Sequence, residues 1–424
     1  MVLAVAGCGD DGAVAESATS GDTTVSGGET FSSLDGTAST TASTTVASTG
    51  TSTTGADTST SVVPESSSTG DPVEPFGPPI EIPLMLDFEP LALALADVNG
   101  DGALDLLLTG TADGAVTGAT LLGDGNGGFA APVDAGVTAC SAFPIVGAID
   151  DDDRADLFFG TCDAVATFFL GEADGSFTPT EVLAPWAFTP VRSSRFVDHD
   201  DDGDDDLVLL TVDGGGQARL HLALGQAAGL WPMTTTVVQA GAFEPNGLGI
   251  AHIDADNRGD VLLIEVDQGL AYMIALDPVG HSDPLFLELD VAPSSVVPFD
   301  LDLDGLDDLM IASRSDGALQ LVRNMGLVGL VADASIAMPG VEPLEVVSGR
   351  FGADLDLDLA ILDADEPTVT ALQGDGLGNF EVVATYDLPS LAVRLVSGDL
   401  DGNGRDDLVA ATFSNNSITI LLAD

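Results

Sequence analysis

Seven aspartates recur at a near-constant distance along this chain. Asp105, Asp156, Asp206, Asp260, Asp308, Asp358 and Asp407 each close a short acidic stretch and lead into an apolar run such as "LDLLLTG", with successive spacings of 51, 50, 54, 48, 50 and 49 residues. A period of this length means a repeat architecture, in which one supersecondary unit packs against its neighbours. The internal order is constant: an apolar run, the acidic loop, a second apolar run, a Gly/Asp turn, a third run, an aromatic-ended turn and a last run. "LALALAD" (Leu91 to Asp97) opens the first repeat, and the aromatic turn recurs as "GNGGF" ending at Phe129, "EADGSF", "GQAAGLW" ending at Trp231 and "GDGLGNF" ending at Phe380. Four short runs without helical periodicity predict four β-strands per repeat. The expected fold is therefore all-β, a seven-bladed β-propeller of four-stranded blades, with the acidic loop joining the first two strands of each.

Ring closure has its own signature. The seventh repeat runs through "SITILLAD" to Asp424, its third strand, while "FGPPIEIPL" (Phe76 to Leu84) parallels the fourth-strand segment "FAAPVDAGV" (Phe129 to Val137). The strand within residues 76–86 is expected to complete the last blade, which removes the exposed sheet edges.

Numbered from its first acid, each full loop carries oxygen-bearing side chains at positions 1, 3, 5 and 9 and glycine at position 6. Four loops are complete: Asp97, Asn99, Asp101, Asp105; Asp198, Asp200, Asp202, Asp206; Asp300, Asp302, Asp304, Asp308; and Asp399, Asp401, Asn403, Asp407, with Gly102, Gly203, Gly305 and Gly404 at position 6. Carboxylates this close repel one another unless a positive charge sits among them. Alternate residues of a curled loop point inward, glycine permits the positive φ of a sharp turn, and an all-oxygen set suits calcium better than magnesium. The spacing begins like an EF-hand but lacks the acid at position 12, where Leu108 stands. The same residues also favour plain turns that hold no ion.

The intervening loops depart from the pattern. Repeat two has Ala148 at position 1 and keeps Asp150, Asp152 and Asp156; repeat four has His252 there and keeps Asp254, Asp256 and Asp260. These six acids are weaker calcium candidates. Repeat six, "GRFGADLDLDL", has Arg350 at position 1 and Gly352 at position 3, so its site is read as lost, with the Arg350 guanidinium neutralising Asp354 and Asp358.

The recurring D-x-[DN]-x-[DN]-G-x-x-D-L loop and the G-x-x-x-F-like turn resemble the FG-GAP, or VCBS, repeat family, which includes the propeller of integrin alpha chains. The resemblance covers residues 76–424. It implies calcium in the loop between the first two strands, with position 9 as closing ligand, and hence about four Ca2+ sites.

At the N-terminus, "VAGC" (Val5 to Cys8) resembles the end of a bacterial lipoprotein signal, with Cys8 the lipidated residue and the true start codon upstream. Residues 1–8 are read as the end of that truncated signal. Residues 9–75 are Ser, Thr, Gly and Ala with scattered acids, as in "TASTTASTTVASTG", and cannot form a core. They read as a disordered tether with a reach of roughly 45 Å by random-coil scaling. Gly9 after the cysteine favours the outer membrane, facing surface or periplasm. Cys140 and Cys162 fall in neighbouring strands of repeat two and are expected to form a disulfide in an exported protein.

The chain carries 69 acids against 10 basic residues, all of them arginine, for a formal net charge of -59. Such a polyanion avoids nucleic acid and acidic lipid and attracts cations, so membrane contact is expected only through the lipid anchor. The four histidines are scattered, and no nucleophile triad, zinc spacing or phosphate loop is present. The expectation is a monomeric, surface-tethered binding or adhesion module for a protein or glycan ligand, without catalytic residues and not an enzyme. A structural envelope-assembly lipoprotein and a propeller lyase or hydrolase are the alternatives.

Overall fold

The computed structural model describes residues 74–423, apart from 139–143, 151, 163–164, 184–190, 200–204, 213–217, 226–232, 238–246, 255, 257, 266–269, 275, 278–279, 282–284, 327–328, 355 and 413–415. Cys8, the tether up to residue 73 and Cys140 lie outside these residues. Cys162 ends the strand Asp156–Cys162, so the expected disulfide is not placed by the structure.

Each repeat forms an antiparallel sheet whose second strand begins at the periodic aspartate. In repeat one the strands are Glu89–Ala96, Asp105–Ala112, Ala115–Leu121 and Val133–Asp134, in that spatial order. Repeat six follows the same order with Pro343–Gly349, Asp358–Asp363, Thr368–Gly374 and Phe380–Asp387. The second strands are apolar at consecutive positions because both of their faces are covered by neighbouring sheets, the pattern of a fully buried strand. Asp308–Ser313, Asp358–Asp363 and Asp407–Thr412 are buried at every position.

The expectation of four strands in every sheet needs one correction. Of the seven four-stranded blades expected, six are found among the described residues. Leu276–Asp277 with Gly280–His281 forms a separate two-stranded sheet, and the sheet of repeat five has five strands. Its outer position is split into Leu330–Ala332 and Ile336–Ala337, both paired with Ala318–Asn324. The break falls at Asp333, whose carboxylate accepts from Arg323 Nε at 2.8 Å and whose carbonyl accepts from Gln320 Nε2 at 3.0 Å. Its N–H still donates to Leu321 O at 2.8 Å, so these side-chain bonds add to the backbone link between the two outer pieces.

Apolar side chains are shared between consecutive sheets. One cluster joins repeats one and two (Leu107, Val137, Phe159, Phe169), and another joins five and six (Phe299, Met310, Leu359, Ile361). Repeats seven and one meet through Leu93, Leu108, Val409 and Ile420, so the series returns to its start in a propeller arrangement.

The closing strand lies where the sequence places it. Ile80–Pro83 pairs antiparallel with Ser417–Leu421, with Ile80 opposite Ile420 and Ile82 opposite Ile418. Phe76 is buried, 5.0 Å from the Phe351 ring, and its N–H donates to Tyr386 Oη at 3.1 Å. The N-terminal segment is thereby packed against repeat six as well as repeat seven.

Candidate metal centre

The loops share a scaffold built on the position-9 aspartate. One carboxylate oxygen accepts from the N–H of position 2: Val98 to Asp105 at 3.0 Å, Ile149 to Asp156 at 2.8 Å, Ile253 to Asp260 at 2.9 Å and Leu400 to Asp407 at 2.8 Å. The other accepts from an N–H near the end of the third strand: Gly123 to Asp105 and Gly171 to Asp156 at 2.8 Å, Asn324 to Asp308 at 2.6 Å and Ala423 to Asp407 at 2.7 Å. Asp206 makes the same two bonds with His199 and Gly225, whereas Asp358 accepts from the position-3 N–H of Gly352 and from Gly374. The carboxylate therefore ties the loop to the third strand in its own sheet.

This bracket revises the role expected for position 9. It is present in repeat six, where the metal pattern is lost, so its first task is structural. Burial pushes the carboxyls of Asp105, Asp156, Asp308 and Asp407 up to about 6, against the opposing effect of the two backbone donors; the other acids of each loop push them further up.

The position-1 acid shapes the curl. Asp97 Oδ1 accepts from Gly100 and Asp101, and its Oδ2 from Gly102 at 2.8 Å. Asp300 holds Asp304 and Gly305 in the same way, and Asp399 holds Asn403 and Gly404. Gly102, Gly305 and Gly404 adopt φ of +87°, +87° and +85°, as the sharp turn requires. At position 4, Gly100 and Gly402 are also left-handed, and Leu303 takes the same region with φ 60° although it has a Cβ.

Among the described residues, two loops bring three carboxylates together. Asp300, Asp302 and Asp304 each place an oxygen within 4.8 Å of the others, and so do Asp399, Asp401 and Asp407. Hard oxygen donors converging at this spacing, in loops whose backbone is already curled, fit calcium. In repeat one Asn99 Nδ2 donates to Asp101 Oδ2 at 3.0 Å, so the amide satisfies the acid beside it. The N–H of Ala103 and then the Asn99 amide hold the Asp101 carboxyl below the usual range. In repeat three Asp198 and Asp206 are described, whereas Asp200, Asp202 and Gly203 lie outside the described residues.

Repeats two and four contain their own cation, at a position the sequence reading passed over. Arg154, at position 7, pairs with Asp152 and donates through Nε to Gly171 O at 2.7 Å. Arg258, also at position 7, lies 3.8 Å from Asp256 and reaches across to His199 O in the preceding loop. The weaker candidates Asp150, Asp152 and Asp256 thus face a guanidinium of the chain itself.

Position 8 was missed as well. Where position 1 is not acidic, the next repeat carries Asp at position 8, and its carboxylate accepts the position-1 N–H. The pairs are Asp205 with Ala148 at 2.6 Å, Asp307 with His252 at 2.7 Å and Asp406 with Arg350 at 2.8 Å. The doubled acids in "DDDL", "LDDL" and "RDDL" were the available signal. His252 Nδ1 also meets Asp307 Oδ2 at 3.2 Å, and this hydrogen bond pushes the imidazole up.

The assignment of Arg350 to Asp354 and Asp358 is corrected by the same geometry. Asp354 accepts from Gln373 Nε2 at 2.9 Å and Asp358 from two backbone N–H groups, while burial pushes the Asp406 carboxyl up, opposed by the Arg350 N–H and then by the Arg350 charge.

No protein-family model matches the chain, and no curated protein matches it. The FG-GAP resemblance accordingly rests on the loop and turn motifs. Among solved structures, the chain is similar to the periplasmic gluconolactonase of Pseudomonas aeruginosa at 13% identity and a TM-score of 0.48, over 73% of this chain and 85% of that one. That neighbour is an enzyme, so the expectation that this chain is not one is withdrawn. At this level of similarity neither an activity nor a substrate passes from one chain to the other.

Proposed function

We propose that this protein is a calcium-stabilised β-propeller that serves as a tethered binding module for a protein or glycan ligand in the cell envelope. The observation that carries the calcium reading is the convergence of three carboxylate oxygens in each of the loops of repeats five and seven. Asp97, Asn99, Asp101 and Asp105, with the corresponding residues Asp198, Asp200, Asp202 and Asp206, complete the proposed set of four. In this reading calcium replaces carboxylate repulsion with shared coordination and stiffens each loop from which a ligand-binding face is built. The tether of residues 9–75, lipidated at Cys8, would hold the propeller clear of the membrane.

Native mass spectrometry tests the metal: about four calcium ions are expected, with one lost in Asp304→Ala and one in Asp101→Ala. At ~1 mM calcium and a Kd near 10⁻⁴–10⁻³ M, each site contributes roughly 0.4–1.4 kcal/mol. Absence of bound calcium together with a melting temperature indifferent to chelator would return the loops to ordinary acidic turns. The module itself is tested by affinity capture from the native envelope with and without chelator, a calcium-dependent partner being the expected result.

A further inference from the structure

The loop of repeat six adjoins open space. A cavity of about 450 Å³ opens beside it, walled by Phe351, Leu372 and Val383 and edged by Asp354, Asp358 and Arg405. That volume lies in the range of small-molecule sites and far exceeds a single ion. Gly352, which stands in place of the position-3 acid, lines the cavity: a Cβ there would lie 3.2 Å from Asp354 Oδ1 and 3.3 Å from Asp358 Oδ2. The bare glycine leaves both oxygens facing its side of the loop.

We propose that this cavity binds a small primary amine with an apolar body. The ammonium has three donors to place, and Asp354 Oδ1 and the remaining lone pairs of Asp358 offer acceptors that the loop does not consume. Gln373 Nε2 fixes Asp354 through its other oxygen at 2.9 Å, and the N–H groups of Gly352 and Gly374, both at 2.9 Å, fix Asp358. Side-chain motion is thus removed before the ligand arrives, which lowers the ordering cost of binding. The apolar body lies against Phe351 and Val383. A bare divalent ion is disfavoured, because positions 1 and 3 supply no carboxylate and Arg405 lines the same space. Glu74 also lines the cavity, so the net charge of its rim is negative and selects cationic ligands.

The test is calorimetric titration of the whole protein in saturating calcium with n-hexylamine, 1-hexanol and hexanoate, repeated in chelator. Hexylamine is expected to bind at least tenfold more tightly than either analogue. Asp354→Asn, at an exposed position, is expected to weaken hexylamine at least tenfold with an unchanged melting temperature, and Val383→Phe to weaken it by filling the apolar wall. Equal binding of the three probes, no binding of any, or full retention in Asp354→Asn would overturn the proposal. So would displacement of hexylamine by millimolar calcium, which would assign the space to a metal. Because the amine is measured both with and without calcium, this result is independent of whether the loops of repeats one, three, five and seven hold an ion.

Discussion

The loops of repeats five and seven and the loops of repeats two and four solve one electrostatic problem in two ways. In the first pair, Asp300, Asp302 and Asp304, and Asp399, Asp401 and Asp407, converge on a space that a cation from solution can fill. In the second pair Arg154 and Arg258 bring the cation along the chain, one residue past the position-6 turn. Both share the buried position-9 bracket. The difference teaches that the bracket builds the loop, while the residues at positions 1 to 7 decide where its positive charge comes from.

The bracket should give the largest effects, and alike in both kinds of loop. Asp407→Ala and Asp156→Ala each leave two buried N–H groups without acceptors and are expected to cost about 3 kcal/mol or more, measured by urea unfolding in chelator. A large cost for Asp407→Ala beside none for Asp156→Ala would separate the two loops at the very feature they are held to share.

Acidification sharpens the comparison only once a bystander is removed. Low pH discharges the carboxylates proposed to bind calcium, but it also titrates His221, which is buried with Nε2 2.9 Å from Thr211 Oγ1. Burial, followed by the nearby Arg219 charge, holds its imidazole below the ordinary 6.5. The unfolded chain therefore takes up the proton first, and this contribution to stability is present above 6.5 and is lost as pH falls from there through the lowered folded value. In chelator the four position-9 carboxyls pushed up to about 6 gain stability as pH falls through that value while His221 loses it, so the rise in melting temperature on acidification is expected to be steeper in His221→Gln than in the parent. An unchanged slope would place the acid sensitivity elsewhere.

Removing the internal cation should make one kind of loop behave like the other. Arg154→Ala is expected to cost about 0.5–1 kcal/mol in chelator, the range of a partly exposed ion pair, and calcium should restore more stability to this variant than to the parent. Loss with no added calcium response would mean that repeat two lacks the donors for an ion whatever stands at position 7.

The smallest effect lies within the calcium-type loops themselves. Leu303 is 73% exposed and left-handed at the position where Gly100 and Gly402 stand. Leu303→Gly relieves that strain against a greater entropy of the unfolded chain, for a net gain of about 0.5 kcal/mol in thermal melts. A loss instead would show that the exposed leucine makes contacts worth more than its backbone strain.

Much of this was legible from residues alone. The period between aspartates, the four-run pattern and the match between Phe76–Leu84 and the fourth strands determined the order of elements, the loop positions and the closing strand, because each depends on local pattern and on which faces must be buried. Glycine at position 6 likewise announced its positive φ, since the turn geometry is set within a few residues. What only the tertiary structure decided were the interactions between repeats. The grip of Asp205, Asp307 and Asp406 on the preceding loop links residues more than fifty apart and depends on how two sheets are set side by side. The split outer strand at Asp333 and the cavity beside Gly352 are of the same kind. A repeat pattern fixes what each unit is, because its bonds are short in sequence; what lies between units is fixed by packing, where charge and space are shared by residues that the sequence holds far apart.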